Sequence, residues 1–190
     1  LDKVGMEVVD GITIRRFSYL YPYFPMPEKD RLALDKKGGN PFSPELMKAL
    51  QKGKFDIFHI HAGGRLANYT LRLAKKISVP ALMSLHGGSC AIPQQEMELM
   101  LKPLKHKFSY GGIVDRLCRM RKTPESQADV LLALSREEVE KLKKRYPEKQ
   151  VELFPNGILH RELPDVGDFR KKYNIPDDKK LLLCISRIDY

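Results

Sequence analysis

Short apolar runs alternate with amphipathic stretches along the chain, and that alternation sets the expected elements. The clearest case covers residues 55–89. Phe55, Ile57, Phe58 and Ile60 form an apolar run interrupted by Asp56 and His59, the pattern of a parallel-sheet strand buried on both faces. Gly63-Gly64 break the run. Leu66, Thr70, Leu73, Ala74 and Ile77 then recur at helical spacing, with Arg65, Arg72, Lys75 and Lys76 off the stripe, as on a surface helix. Val79-Pro80 restart an extended run through Leu85, which ends at His86-Gly87-Gly88. The whole predicts a βαβ unit with a right-handed crossover. Its two strands deliver His59, His61 and His86, with glycines, to the carboxyl edge, where open α/β sheets bind ligands.

The flanking pattern is read the same way. Residues 11–17 alternate and predict a strand. Residues 18–41 carry Tyr19, Tyr21, Tyr23, Phe24, several prolines and Gly38-Gly39, and predict a long loop of the functional or mobile kind. Ser43-Pro44-Glu45 starts a helix, with Ser as N-cap and Pro at the first helical position. Leu46, Met47 and Leu50 are its core face, and Gly53 ends it. In 94–107, Met97, Leu99, Met100, Leu101 and Leu104 sit beside Lys102, Lys105 and Lys107, with Pro103 as a breaker. A short core helix and loop is the expectation there, and a lid or membrane-surface segment the alternative. Residues 113–122 look helical and basic, and Pro124 bounds them. Residues 129–134 predict a buried strand. Ser135 and Glu138 fit a capping box, opening a helix through Val139, Leu142 and Tyr146 to Pro147. Residues 150–154 predict a strand closed by a turn at Pro155-Asn156-Gly157. From 159 to 178 the chain reads as a linker with a short helix near 166–173, and 180–186 as a fresh buried strand.

Composition narrows the function classes. The 190 residues hold 34 Lys and Arg against 24 Asp and Glu, a net charge of +10. Anionic partners fit that excess, yet acidic residues alternate with the basic ones along most helices, as on a solvated surface. No nucleic-acid motif accompanies the charge, so no nucleic acid is expected as partner. Cys90, Cys118 and Cys184 include no CxxC pair, which suits free thiols in a reducing compartment. No apolar run approaches the roughly 20 residues of a membrane span. No charged-then-apolar leader opens at Leu1, and the missing initiator Met suggests a start inside a longer protein. His59 and His61 point the same way, but no further ligand or carboxylate lies near them in sequence, so no metal site is expected. His106 and His160 read as surface residues. Without a G-x-S-x-G elbow, hydrolase chemistry is not expected.

Four segments, in order, resemble the family-four retaining glycosyltransferases: FDIFHIHAGG, ALMSLHGG, ADVLLALSREEVEKL followed by VELFPNGI, and LLLCISRIDY. The resemblance implies the GT-B architecture, two Rossmann-like domains facing across a cleft. This chain would then be α/β, a Rossmann-like parallel sheet with helices on both faces. Residues 1–160 would form the acceptor-side domain, 161–178 the linker and 179–190 the first strand of the donor-binding domain. The family's first strand and glycine-rich loop would precede Leu1, and its paired donor-gripping glutamates would follow Tyr190. Leu159 stands where the family commonly has Asp.

The implied activity is retaining transfer of a sugar from a nucleotide-sugar co-substrate to a glycan or lipid-linked acceptor. It needs no metal or other cofactor, and the setting would be cytoplasmic, with peripheral contact at the inner face of the membrane. His86 matches the family's cleft histidine and is the catalytic candidate. Gly87 and Gly88, which allow close backbone approach, join His61 as substrate-binding candidates. Asn156 and Gly157 match the Pro-Asn-Gly turn at the interdomain junction. Arg187 matches the basic residue that helps hold the donor diphosphate. A non-catalytic Rossmann-like binding module is the alternative, and a basic nucleic-acid-binding domain a more distant one.

Overall fold

In the computed structural model, residues 4–36, 39–61, 63–86, 98, 101–120, 123–157 and 169–182 are described. The chain divides into two compact units, residues 1–156 and 157–190. The first opens with an antiparallel hairpin of β1 (Gly5–Val9) and β2 (Ile12–Arg16). Asp10 and Gly11 turn it with φ of 50° and 79°, the left-handed pair that two-residue hairpins favour. The alternation in 11–17 predicts β2 but not β1, because adjacent Val8 and Val9 break the period.

Residues 18–41 are not the loop their prolines and tyrosines predict. They hold β3 (Tyr23–Phe24) and helix α1 (Glu28–Lys36). α1 buries only Leu34, so it carries little apolar periodicity. Glu28 and Asp30 in its first turn and Lys36 in its last complement the helix dipole instead. α2 (Pro44–Lys52) begins as expected: Ser43 Oγ accepts the Leu46 N–H at 3.2 Å, and Gly53 caps the far end.

The organising unit follows, as β4 (Phe58–Ile60), α3 (Gly64–Lys76) and β5 (Ala81–Leu85). Beyond it come β6 (Phe108–Ser109), α4 (Gly111–Leu117), β7 (Val130–Ala133), α5 (Arg136–Arg145) and β8 (Gln150–Leu153). A four-stranded, all-parallel sheet runs β4-β5-β7-β8, while β6 pairs antiparallel with β3. This is the α/β sheet flanked by helices that the sequence predicts.

Register explains the core. Phe58 lies beside Ala81, Ile60 beside Met83, Met83 beside Leu131, Leu131 beside Val151, and Leu85 beside Ala133. All are buried, in one cluster with Ala67, Leu71 and Ala74 of α3 and Leu142 of α5. Leu131 has no exposed surface, and truncating such a residue to Ala costs about 2–5 kcal/mol. The opposite face carries His59, Leu82, Ser84, Val130, Leu132 and Glu152. Among the described residues only Ser84 of these is buried. The strand expected over 55–60 is therefore shorter and one-sided: Phe58 and Ile60 point inward, while Ile57 and His59 are exposed.

Four local expectations are corrected. On α3 the core face is Ala67, Leu71 and Ala74, with Arg65, Asn68 and Leu73 also buried. Leu73 and Ala74 of the expected stripe are buried, whereas Leu66 and Thr70 are half-buried and Ile77 is exposed, because Arg65, Ala67 and Asn68 fill the buried side of the first turns. The helix expected over 113–122 is α4; it stops early where Arg119 turns left-handed at φ 48°. At α5, Ser135 Oγ accepts the Glu138 N–H at 3.2 Å, but the Glu138 carboxylate accepts from the Leu134 N–H at 3.0 Å rather than from that of Ser135. After β8 the Phe154 N–H donates to the Ala133 carbonyl at 2.7 Å, and residues 154–157 carry no turn.

The second unit contains α6 (Phe169–Lys172), inside the short helix expected near 166–173. Residues 180–182 are exposed and not in a strand, and 183–186 lie outside the described residues. In the 94–107 segment a 3-10 turn, Lys102–Leu104, forms around Pro103; most of the rest lies outside the described residues. Cys118 is a free thiol, and Cys90 and Cys184 lie outside the described residues. Among the described residues no helix is long and apolar enough to cross a membrane.

Candidate functional site at the carboxyl edge

β4 and β5 run parallel, so side chains two apart on each strand share a face. His59 lies in β4 and His61 just beyond it; Ser84 lies in β5 and His86 just beyond it. His59 Nε2 contacts Ser84 Oγ at 2.7 Å, and His61 Nδ1 contacts His86 Nε2 at 3.2 Å. The His59 and His61 rings sit 4.0 Å apart, centroid to centroid. The His61 and His86 rings are within 18° of parallel with centroids 5.4 Å apart. The N···N contact plus the two ring radii spans that separation, so these rings meet edge to edge rather than face to face.

One ring nitrogen of the His61–His86 pair donates and the other accepts, so two imidazolium ions cannot keep the contact. Burial lowers the pKa of His61 below its ordinary value, and the neighbouring charges of His59 and His86 lower it further. The neutral ring is thus favoured near pH 7. The mutual contact occupies His61 Nδ1 and His86 Nε2. Their opposite nitrogens can engage a hydroxyl or phosphate oxygen arriving at the sheet edge.

The backbone beyond His61 is held by residues that pattern reading does not single out. Gly63 caps α3 without a side chain. Asn40 fills the gap from afar, its Oδ1 accepting the Arg65 N–H at 2.7 Å. Gly64 has φ +80° and lies so close to the Asn40 carboxamide that a Cβ there would collide with it. Arg65 is buried. It donates to Asp115 Oδ1 and Oδ2 at 2.7 and 3.2 Å and to the Asn40 carbonyl at 2.7 Å. The sequence reads Arg65 as solvent-facing because its partners lie 25 and 50 residues away. The uncapped Gly63-Gly64 start was the available signal. A cavity of about 660 Å³ opens here, lined by Asn40, Arg65, Asn68, Asp115, Arg116 and Arg119 among others.

The structure thus brings His61 and His86 together, adds His59 and Ser84, and leaves other candidates apart. Gly87, Gly88 and Arg187 lie outside the described residues. Asn156 is exposed at the end of the first unit, and Gly157 begins the second. A groove of about 820 Å³ lies at the opposite, amino edge, beside Ala81, Asp129 and Lys149. Asp129 there accepts the Ala81 N–H at 2.8 Å and Lys149 donates to the Ala128 carbonyl at 2.8 Å, so both serve the backbone. Among the described residues no cluster of three or more His, Cys, Asp or Glu is arranged to hold a metal ion.

Residues 16–161 match the model of a protein family described as Glycosyltransferase Family 4. His61, His86, Asn156 and Gly157 fall inside that span, and Arg187 falls outside it. No curated protein and no solved structure matches the chain.

Proposed function

The chain belongs to glycosyltransferase family 4, and on that premise we propose that it supplies the acceptor side of a retaining sugar transfer. The donor is a nucleotide sugar and the acceptor a glycan or lipid-linked sugar at the cytoplasmic face of a membrane, with no metal or other cofactor. The observation that carries this reading is the His61–His86 contact at the carboxyl edge of the sheet, inside the matched span. A neutral imidazole anchored by a second imidazole is suited to orienting hydroxyls at the reacting centre, not to forming a covalent bond.

As the glycosidic bond to the diphosphate breaks, negative charge collects on the departing phosphate oxygens. Arg187 is assigned to hold that charge through its guanidinium fork, with Asn156 and Gly157 at the junction and Gly87 and Gly88 beside the sugar. Residues 1–160 then form the acceptor-side domain, 161–178 the linker and 179–190 the start of the donor-binding domain.

Two measurements test this. Calorimetry of the 190-residue chain against a panel of nucleotide sugars is expected to show at most millimolar affinity, about 4 kcal/mol, because the donor is gripped mainly from the other domain. Micromolar binding of one of them would put the donor site in this domain. In the two-domain enzyme that this reading calls for, NMR of the product is expected to show the donor's anomeric configuration retained. An inverted product would overturn the mechanism.

A further inference from the structure

A second cavity, of about 340 Å³, opens beside the first turns of α2 and α3, lined by Phe17, Tyr19, Tyr21, Asp35, Gly39 and Leu66 among others. α2 ends toward the start of β4 and α3 begins just beyond its end. Both N-termini therefore lie at the same carboxyl edge as His61, although no histidine lines this cavity. Its size is at the low end for small-molecule sites, roughly 300–1,000 Å³, which suits one ring rather than a chain of them.

The floor is built for hydrogen-bond donors. Tyr19 Oη donates to Asp35 Oδ2 at 2.6 Å, and Tyr21 Oη donates to Oδ1 at 2.8 Å. Each carboxylate oxygen offers two acceptor positions, so one on each remains for a ligand. The two phenol rings meet edge to face, with centroids 5.8 Å apart at 81°, which fixes them against each other. Tyr21 is buried, whereas Phe17 and Tyr19 are half-buried and offer ring surface to the cavity. Gly39 packs so closely on the Tyr21 ring that a Cβ there would displace it.

Charge selects among ligands. Asp35 is the one charged side chain among the residues that line the cavity, and it repels an anion. The two phenol hydroxyls already donate to its oxygens, and what remains suits a neutral ring with adjacent hydroxyls on one edge and C–H bonds on one face. We propose that this pocket binds one pyranose ring of the acceptor, with two adjacent hydroxyls donating to Asp35 and the apolar face of the sugar against the Tyr19 and Phe17 rings. The assignment rests on the glycosyltransferase reading for its role, but the binding itself is measurable without turnover.

The test is saturation-transfer NMR on the 190-residue chain with methyl glucopyranoside, methyl mannopyranoside and methyl galactopyranoside, and with tetramethylammonium as the cationic control. At least one pyranoside is expected to bind in the millimolar range, with the strongest transfer to C–H protons on one ring face. Asp35→Ala removes both charged acceptors and is expected to weaken binding by about tenfold or more. Should that variant fail to fold, Leu66→Phe fills the cavity, leaves Asp35 in place, and is expected to abolish the signal. No binding of any of the three sugars at tens of millimolar overturns the proposal. So does equal binding by both variants, or preferential binding of tetramethylammonium. Pyranoside binding lost in these variants, in an enzyme that transfers no sugar, keeps the pocket and sinks the transfer reading. Transfer without pyranoside binding does the reverse.

Discussion

The protonation of His61 is set by its surroundings. Its folded pKa lies below the ordinary value, first through burial and then through His59 and His86. A depressed imidazole pKa means the unfolded chain binds the proton more readily. Its stabilising contribution is therefore present above the ordinary value, about 6.5, and is lost as pH falls through the lowered folded value. Imidazole NMR should place the His61 midpoint below 6.5, and His86→Ala should move it part of the way back. A midpoint at or above 6.5 in the wild type would mean the ring is not held as described. Two helix caps make a second comparison. Ser135 only caps α5, so Ser135→Ala should cost about 1 kcal/mol. Ser43 is buried, accepts the Leu46 N–H and also donates to the Ser18 carbonyl at 2.6 Å, so Ser43→Ala should cost about 2 kcal/mol. Equal costs in urea melts would show that the second bond contributes nothing. His61 and His86 were legible because strand ends and two-residue spacing are local. Asn40, Arg65 and Ser84 were not, since their importance depends on partners that only folding brings near.

The elements divide along the same line. β5, β7, α2 and α5 follow from periodicity and caps; α2 buries no residue fully, but its Ser43 cap and Gly53 stop are local and Leu50 packs against the core. α1, β1 and the β3–β6 pair escape it, being stabilised by end charges, a two-residue turn or a short non-local pairing. α3 was found as a helix, and Leu73 and Ala74 were placed on its buried side, but Arg65 and Asn68, which also occupy that side, were not. The Arg65–Asp115 bridge joins α3 to α4, and its two ends are unequally buried: 8% of the Arg65 side chain is exposed against 39% of Asp115. Removing Asp115 strands a buried guanidinium, although the Asn40 carbonyl still accepts from it. Asp115→Ala should therefore cost about 3 kcal/mol, the low end for such a loss. Arg65→Met leaves a half-hydrated carboxylate beside an apolar side chain and should cost about 1–2 kcal/mol. Chemical denaturation of the two variants gives the order directly. The reverse order would mean the bridge does not carry the α3–α4 contact.

Across the whole chain, a groove lies at the amino edge of the parallel sheet while the histidines gather at its carboxyl edge, and the family match, residues 16–161, takes in those histidines. The βαβ unit was readable because each of its pieces is local. The half-covered second face of the sheet was not, because coverage depends on what packs there rather than on the strand's own residues. The central claim is that His86 is a working residue at that edge and not a structural one. His86 is exposed, so its side chain adds little to packing. The direct measurement is thermal unfolding and kcat of His86→Ala on one preparation of the two-domain enzyme that the proposed function calls for. The expected result is a kcat lower by on the order of 10²–10³, with Tm moved by about 2 °C or less. A well-folded variant with wild-type turnover, or a large fall in Tm with turnover per folded molecule kept, would contradict it.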